Sequence, residues 1–574
     1  MPGRRSPLTL LCARPRAADI AILAAVAVAC CLPLLLFGIP KPSHDGAFHA
    51  LVAQHFSSQL LAGDAYPRWL ADMNAGYGAP VFFYYPPIPY YAATLTSLLT
   101  VWTADPWLEI GFALFVAIML SGITLYAWMS ELVGRRAALA AAVVYMIAPY
   151  HLAIDGYVRG AYAEVWAFVW LPLVLIGIRR NSVLAGVALT AAAVALLLMT
   201  HLPTSLLFAP FAAAYVLFTS WQRRAVKPAA AAAAGALLGA AIAALYILPA
   251  LQLRDAVLMD TMSSGAYSVP RWFLFGEPVS RLKNQLAFLL TTTIGAILAG
   301  EMIARASTSG TAARRFWVVT GLAAYALMTV HTRAIWERVP VAHEVQFPWR
   351  LGTVLTLAAA AVTGLTLNGS RVAYRELPAI LRFVFLPGIA LTWIAFTFSV
   401  MRPGTLEDWS RLLFDRATAP VEYRTRESEW LWRTRTDNGR TLLPGAPRAT
   451  LVDDDGSVTL LDWRPRRIRA RTSSPDSTTL EIRQLHFPGW TAASHDRSLT
   501  VRPSPLGLIW IDMPPGDHDV DVRLAPTRPE HLGARITLLA SGIWLLVAVA
   551  AGLRRAPERA GGRSAERSAA PQTA

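Results

Sequence analysis

The sequence predicts a mainly α, polytopic membrane protein of about 12–13 transmembrane helices with a C-terminal β-sandwich. Three observations carry this. Of 574 residues, 55% are hydrophobic and 16% charged, against about 25% charged in a soluble domain. The charges are segregated: long Ala/Leu/Val runs alternate with short Arg-rich joints. After residue 400 the composition turns to Arg, Asp, Thr, Ser and Pro, with alternating runs such as S-V-T-L-L-D-W, T-L-E-I-R-Q-L and G-L-I-W-I-D-M. Alternation with Gly/Pro punctuation reads as antiparallel strands.

The apolar runs are taken in order. They lie near 18–38, 107–132, 137–151, 165–179, 183–200, 204–220, 228–249, 284–304, 316–331, 350–368, 379–400 and 534–553. Each is near the length that spans a bilayer, or shorter where helices pack tightly. The first follows Arg4, Arg5, Arg14 and Arg16, as a signal peptide would, but it is longer than a usual h-region and no clear A-x-A cleavage site follows. It reads better as a signal anchor with a cytoplasmic N-terminus. The joints Arg135-Arg136, Arg179-Arg180, Arg223-Arg224, Arg314-Arg315, Arg371/Arg375 and Arg554-Arg555 then fall on one side, cytoplasmic by the positive-inside rule. A crossing by residues 86–103 would flip every later joint. That stretch is therefore read as a helix at the outer interface, with its Tyr and Trp at headgroup depth.

This topology divides the chain into a transmembrane domain (1–400, with a first outer loop at 40–106), an extracytoplasmic linker and β-sandwich (401–532), a final transmembrane helix (533–553) and a disordered cytoplasmic tail (554–574). The net charge of +15 sits in these joints, so nucleic acid is not an expected partner. Cys12, Cys30 and Cys31 offer no zinc or redox pair, and none supports the β-region.

No phosphate-binding P-loop, dinucleotide fingerprint, nucleophile elbow or H-E-x-x-H is present. What remains is a set of ionisable residues on the outer side. His44, Asp45 and His49 follow the first run. Asp45 is either a helix cap or a carboxylate base, since a carboxylate near a bilayer is costly unless used or paired. Arg68 is either an i,i+4 partner of Asp72 or a phosphate ligand. The tyrosines from Tyr84 to Tyr91, Tyr85 among them, are either an interface belt or a sugar-stacking surface. His151, Asp155, Arg159 and Glu164 crowd into what reads as a short outer loop, with Asp155 or Glu164 as a second acid and Arg159 as a phosphate clamp. His201 is a core histidine or a ligand. Glu344 and Arg350, in H-E-V-Q-F-P-W-R, stand at the mouth of a span, where Arg350 either snorkels or meets phosphate. Arg271 and Glu277 are weaker candidates.

The stretches H-D-G-A-F-H, L-A-G-D-A-Y-P-R-W and G-Y-G-A-P-V-F-F-Y-Y-P-P resemble bacterial membrane proteins labelled "6-pyruvoyl-tetrahydropterin synthase-related". Y-V-R-G-A-Y-A-E, F-P-W-R, F-P-G-W and P-P-G-D-H-D-V support the same likeness, which covers most of residues 40–530. That group resembles the GT-C glycosyltransferase superfamily. The resemblance implies a sugar donor on a polyprenyl phosphate and a catalytic acid in the first outer loop, here Asp45. The second acid falls at Asp155 or Glu164. It also allows a divalent metal, although H-D stands where related enzymes often show D-D or D-E.

The expectation is an integral membrane glycosyltransferase of the bacterial inner membrane, moving a sugar from a polyprenyl-phosphate donor to an envelope acceptor on the extracytoplasmic side. Asp45, Asp155 and Glu164 are the expected acids, and His44, His49, Arg68, Tyr85, Arg159, His201, Glu344 and Arg350 the expected substrate contacts. The competing expectations are a flippase for a lipid or envelope precursor, and a non-catalytic assembly protein with the same fold. One geometric requirement follows: Asp45, Arg68, Asp155, Arg159 and Arg350 must converge.

Overall fold

The computed structural model describes residues 16–40, 43–99, 105–277, 280–304, 310–369, 386–400, 423–429, 447–452 and 456–553. The predicted tail, most of the 401–445 linker and the joints at Arg371/Arg375 and Arg554-Arg555 lie outside them. Every apolar run is helical over most of its described length. In chain order the main helices are α1 (Ala17–Phe37), α2 (Gly46–Leu61), α3 (Ile88–Ser97), α4 (Pro106–Met129), α5 (Arg135–Ile147), α6 (Tyr162–Arg179), α7 (Val183–Leu198), α8 (Leu202–Arg223), α9 (Lys227–Ile242), α10 (Ala244–Gln252), α11 (Arg281–Ala304), α12 (Thr311–Leu327), α13 (Gly352–Gly369), α14 (Leu386–Val400) and α15 (Arg528–Leu553). Among the described residues eight helical stretches are long and apolar enough to cross a membrane, or nine with the bent pair α9–α10 as one span. The other predicted runs form the shorter helices α7, α12 and α14.

The bundle is built on close backbone approach. α4 packs on α1, α5 and α6, and α7 is sandwiched by α6, α9 and α15. Gly235 and Gly239 of α9 form a small-x-x-x-small pair on α7: a Cβ would meet Thr190 Cβ at 2.7 Å and the Ala191 carbonyl at 2.6 Å. Such residues let helices associate where no hydrophobic force separates them from lipid.

The Arg-rich joints meet at one end. Arg135 pairs with buried Asp19 (2.6 Å), Arg179 and Arg180 with Glu131, and Arg223 donates to the Arg179 carbonyl (2.6 Å). Asn368 Oδ1 accepts the Gly134 amide (2.7 Å), bringing the end of α13 to the same place.

The α9–α10 pair bends by 65°. The break leaves backbone groups without helical partners, and Thr537 of α15 supplies them: its hydroxyl accepts from the Leu245 amide and donates to the Ile242 carbonyl, both at 2.9 Å. At the start of α15, Glu530 reaches back over the first turn: its Oε2 accepts from the Thr527 amide (2.7 Å) and hydroxyl (2.9 Å), the acidic half of a capping box.

The C-terminal region forms two antiparallel sheets. Strands β1 (Ala449–Val452), β4 (Thr478–Leu485), β8 (Leu508–Met513) and β7 (Val501–Pro503) make one. Strands β2 (Ser457–Arg464), β3 (Arg467–Ser474), β9 (Gly516–Leu524), β5 (Trp490–Ser494) and β6 (Arg497–Leu499) make the other. Along β3, Ile468, Ala470, Thr472 and Ser474 are buried in alternation, as a half-buried strand requires. On the other face Arg467 and Arg471 reach across to Asp521 and Asp519 of β9.

The motif-rich first loop turns out to be the seat of this region. Gln484 accepts from Trp69 Nε1 (2.8 Å) and donates to the carbonyls of Ala71 (3.1 Å) and Gly76 (2.7 Å). Leu485 donates to the Tyr77 carbonyl (2.7 Å). Phe487 packs on Trp69 and Phe83, and Trp490 meets Trp69 edge-on. Gly78 sits at φ +80°, and a Cβ there would strike Gln484 Oε1 at 2.6 Å. The Y-P-R-W, G-Y-G and F-P-G-W motifs thus form one clamp.

The tyrosines of the first loop are tied into the bundle: Tyr84 donates to the Leu253 carbonyl (2.5 Å), Tyr91 to the Ala65 carbonyl (2.6 Å), and Tyr90 is fully buried. α3 packs on α2, α4 and α6, with Ile88 donating to the Met199 carbonyl (3.0 Å), while Leu95, Leu98 and Leu99 beside it are exposed. Residues 151–164, expected as an outer loop, are helical except at Gly160 and Ala161, and all but Val158 are buried.

Candidate functional site

The end of the bundle opposite the Arg-rich joints holds a buried ionic cluster. After Pro149 the chain continues from α5 as a wide π-helical segment, Tyr150–Arg159. Ile154 donates five residues back, to the Pro149 carbonyl (2.8 Å). Such wide turns are frequent at functional sites, and this one keeps Asp155 and Arg159 in contact. Arg159 Nη1 donates to Asp155 Oδ1 and to Glu164 Oε2, each at 2.6 Å. Tyr150 donates to Glu164 Oε1 (2.7 Å). Arg350 Nε lies 3.5 Å from Glu164 Oε2, and its Nη1 donates to the Val345 carbonyl (2.8 Å). Trp349 lies under the Arg159 guanidinium, 4.7 Å from its ring centroid.

Asp155, Arg159, Glu164 and Arg350 are all buried. Two acids and two arginines balance in charge. Burial of this kind is tolerable only when the pairs are made. Within the cluster three buried atoms make no hydrogen bond to described residues: Asp155 Oδ2, Arg350 Nε and Trp349 Nε1. Arg159 makes no hydrogen bond to described residues through Nε or Nη2, so donors remain for an anionic oxygen.

Backbone contacts bring the first loop to this cluster. The Asp45 amide donates to the Arg159 carbonyl (2.8 Å) and the His44 amide to the Val158 carbonyl (3.2 Å). Gly160, at φ +63°, permits the approach: a Cβ there would meet Ser43 Oγ at 2.9 Å and the Gly46 nitrogen at 3.1 Å. Asp45 is the N-cap of α2, yet its side chain caps nothing. Its carboxylate is half-buried, and among the described residues it has no ion pair or hydrogen bond. Its charge reaches Arg159, Arg350, His49 and Tyr85.

Aromatic rings pack around the first turn of α2, just after Asp45. Phe48 contacts Tyr85 (5.8 Å) and stacks with Tyr423 (6.4 Å). His49 is boxed by Phe48, Tyr85, Tyr90 and Tyr162, with Nδ1 2.7 Å from the Tyr90 hydroxyl. Burial holds the His49 ring at about 4, against the opposing pull of Asp45. Tyr85, raised by burial and then by Asp45, is a neutral phenol. Its hydroxyl has no hydrogen-bond partner among the described residues.

Of the predicted residues, Asp45, Asp155, Arg159, Glu164 and Arg350 come together, with His44, His49, Tyr85 and His201 around them. Arg68 does not join them. It donates to the Leu245 carbonyl (2.7 Å) and lies 3.5 Å from Glu530, not against Asp72. Glu344 turns outward to Arg254 (2.8 Å), and Arg271 and Glu277 are exposed. His151 stacks flat on Phe168 at 3.8 Å and contacts the Tyr145 carbonyl (2.9 Å), a core role. Tyr150, Trp349, Tyr162 and Tyr423 were not singled out in the sequence. The first two adjoin predicted residues, but nothing around Tyr423 marks it. Among the described residues no group of three or more His, Cys, Asp or Glu could hold a metal ion. An open depression of about 780 Å³ on the β-region, beside Trp510 and Asp512, contains none of the predicted residues.

Residues 82–399, more than half of the chain, match the model of a family described as "6-pyruvoyl-tetrahydropterin synthase related domain; membrane protein". The match begins after the Asp45 loop. No curated protein matches the chain. Among solved structures, ArnT from Cupriavidus metallidurans bound to undecaprenyl phosphate aligns with a TM-score of 0.41 at 12% identity, covering 67% of this chain and 76% of that one. The arabinofuranosyltransferase AftD from Mycobacteria aligns at 0.41 and 17% identity, covering 73% of this chain and 29% of that one. The archaeal oligosaccharyltransferase AglB from Archaeoglobus fulgidus, solved with an inhibitory peptide and a dolichol-phosphate, aligns at 0.38 and 13% identity, covering 74% and 58%. The chain therefore spans under a third of AftD and less than two thirds of AglB.

Proposed function

The chain belongs to this family of membrane proteins, and we propose that it is a glycosyltransferase moving a sugar from a polyprenyl-phosphate donor to an envelope acceptor on the outer face of a bacterial inner membrane. One observation carries the reading. Asp45 presents an unpaired carboxylate while its own amide is fixed to Arg159, so a base stands beside guanidinium groups with donors to spare.

The chemistry closes without a co-reactant. Asp45 takes the acceptor hydroxyl proton as that oxygen attacks the anomeric carbon. The bond from that carbon to the phosphate oxygen breaks, and the polyprenyl phosphate leaves with the electron pair. Arg159 and Arg350 hold the developing charge. Asp155 and Glu164 orient Arg159 in this scheme, because both are already spent on its Nη1. The aromatic wall of Phe48 and Tyr85 supports a sugar ring. Arg68 and Glu344 take structural roles.

The test is transfer from labelled polyprenyl-phosphate sugars in membranes carrying the wild type or D45N. Wild-type transfer abolished by D45N is expected. Equal transfer by D45N removes Asp45 as base, and no transfer by the wild type from any donor favours the non-catalytic alternative.

A further inference from the structure

Helix α8 starts with an imidazole where Ser, Thr, Asp or Asn is the usual cap. His201 Nδ1 accepts from the Thr204 amide at 3.4 Å and lies 2.7 Å from the Thr204 hydroxyl. A helix N-terminus offers backbone donors and no acceptors, so the nitrogen facing it carries the lone pair. The neutral ring then holds its only proton on Nε2. This proton points away from the cap, and Nε2 has no hydrogen bond to a described residue.

The charges acting on the ring are those of the cluster: Glu164 first, then Arg350, Arg159 and the His49 ring. Arg350 Nε, 3.5 Å from Glu164 Oε2, likewise makes no hydrogen bond. Two N–H donors, one neutral and one cationic, therefore stand in the same neighbourhood without a hydrogen-bond acceptor among the described residues. A third cation would be repelled by Arg159 and Arg350, whereas a neutral N–H adds a hydrogen bond without charge. Burial keeps the ring neutral, with a pKa of about 3 despite the opposing field of Glu164.

We propose that His201 is a tautomer-locked neutral donor whose Nε2–H, together with Arg350 Nε–H, binds the phosphate of the lipid-linked substrate. This rests on the polyprenyl-phosphate reading above.

Two measurements on the full-length chain in lipid bilayers test it. Nitrogen-15 histidine spectra, with H201N identifying the resonance, are expected to show a protonated Nε2 and a bare Nδ1 from about pH 5 to 8. A proton on Nδ1 overturns the proposal. Titration with undecaprenyl phosphate is expected to show binding by the wild type and about tenfold weaker binding by H201N. Asn caps a helix as well as His201 does here, so the variant should melt with the wild type. Equal binding by H201N removes His201 from the phosphate site and leaves the transferase reading standing. No binding by the wild type overturns the lipid-phosphate reading and the ligand assigned to His201 together.

Discussion

The Asp45 amide donates to the Arg159 carbonyl across 2.8 Å. A first-loop residue and the residue at the end of the π-helical segment thus share one backbone bond. The Asp45 carboxylate is held beside the ionic cluster while taking no part in its pairing.

Because that carboxylate neither caps α2 nor forms an ion pair, D45N should leave the melting temperature in detergent unchanged. Its transfer rate should fall by about 100-fold or more, the usual share of a general base. A large drop in melting temperature would show that Asp45 is structural.

Arg159 is different. R159M leaves Asp155 buried without its partner and the cluster one negative charge in excess, a loss of about 3–5 kcal/mol. The variant should be poorly folded by fluorescence-detected size exclusion. Adding D155N should restore much of the folded yield, since Glu164 then balances Arg350. Failure of the double variant to recover would point to packing on Trp349 as the larger contribution.

Q484A leaves Trp69 Nε1 and the carbonyls of Ala71 and Gly76 unmet, at about 1–3 kcal/mol for each buried group left unpaired. The expected result is faster protease cleavage between the bundle and the β-region, with the bundle intact. G78A should do the same through its clash with Gln484 and Trp69.

T537V keeps the shape of the side chain but strips the α9–α10 break of its donor and acceptor. The loss should be about 1–3 kcal/mol, read as faster amide exchange at Leu245.

Acid should destabilise the fold through its buried histidines. His49 and His201 are held at about 4 and about 3, below the ordinary value of about 6.5 in the unfolded chain. The unfolded state therefore binds more protons as pH falls below about 6.5, and stability present above that value is lost progressively towards 4. Melting temperature should drop between pH 7 and 5, and H49Q should show a shallower drop. An unchanged slope in H49Q would exclude His49 as a contributor.

The helices, the β-region and several residues of the candidate site were legible in the sequence. Apolar length and strand alternation are local consequences of burial, so the runs near 107–132 and 350–368 and the alternation in β3 could be read directly. Asp45, Asp155, Arg159, Glu164 and Arg350 stood out because charge in an apolar chain must be paired or used. Who pairs with whom was not legible there. Arg68 looked like the partner of Asp72, four residues on, but lies against Glu530 of the last helix. Trp69 is met by Gln484, 415 residues away, and Tyr423 reaches Phe48 from beyond the bundle. Periodicity records which side of an element is buried. It carries no record of the surface that buries it, and that surface separates a clamp such as Trp69–Gln484 from a site such as Asp45–Arg159.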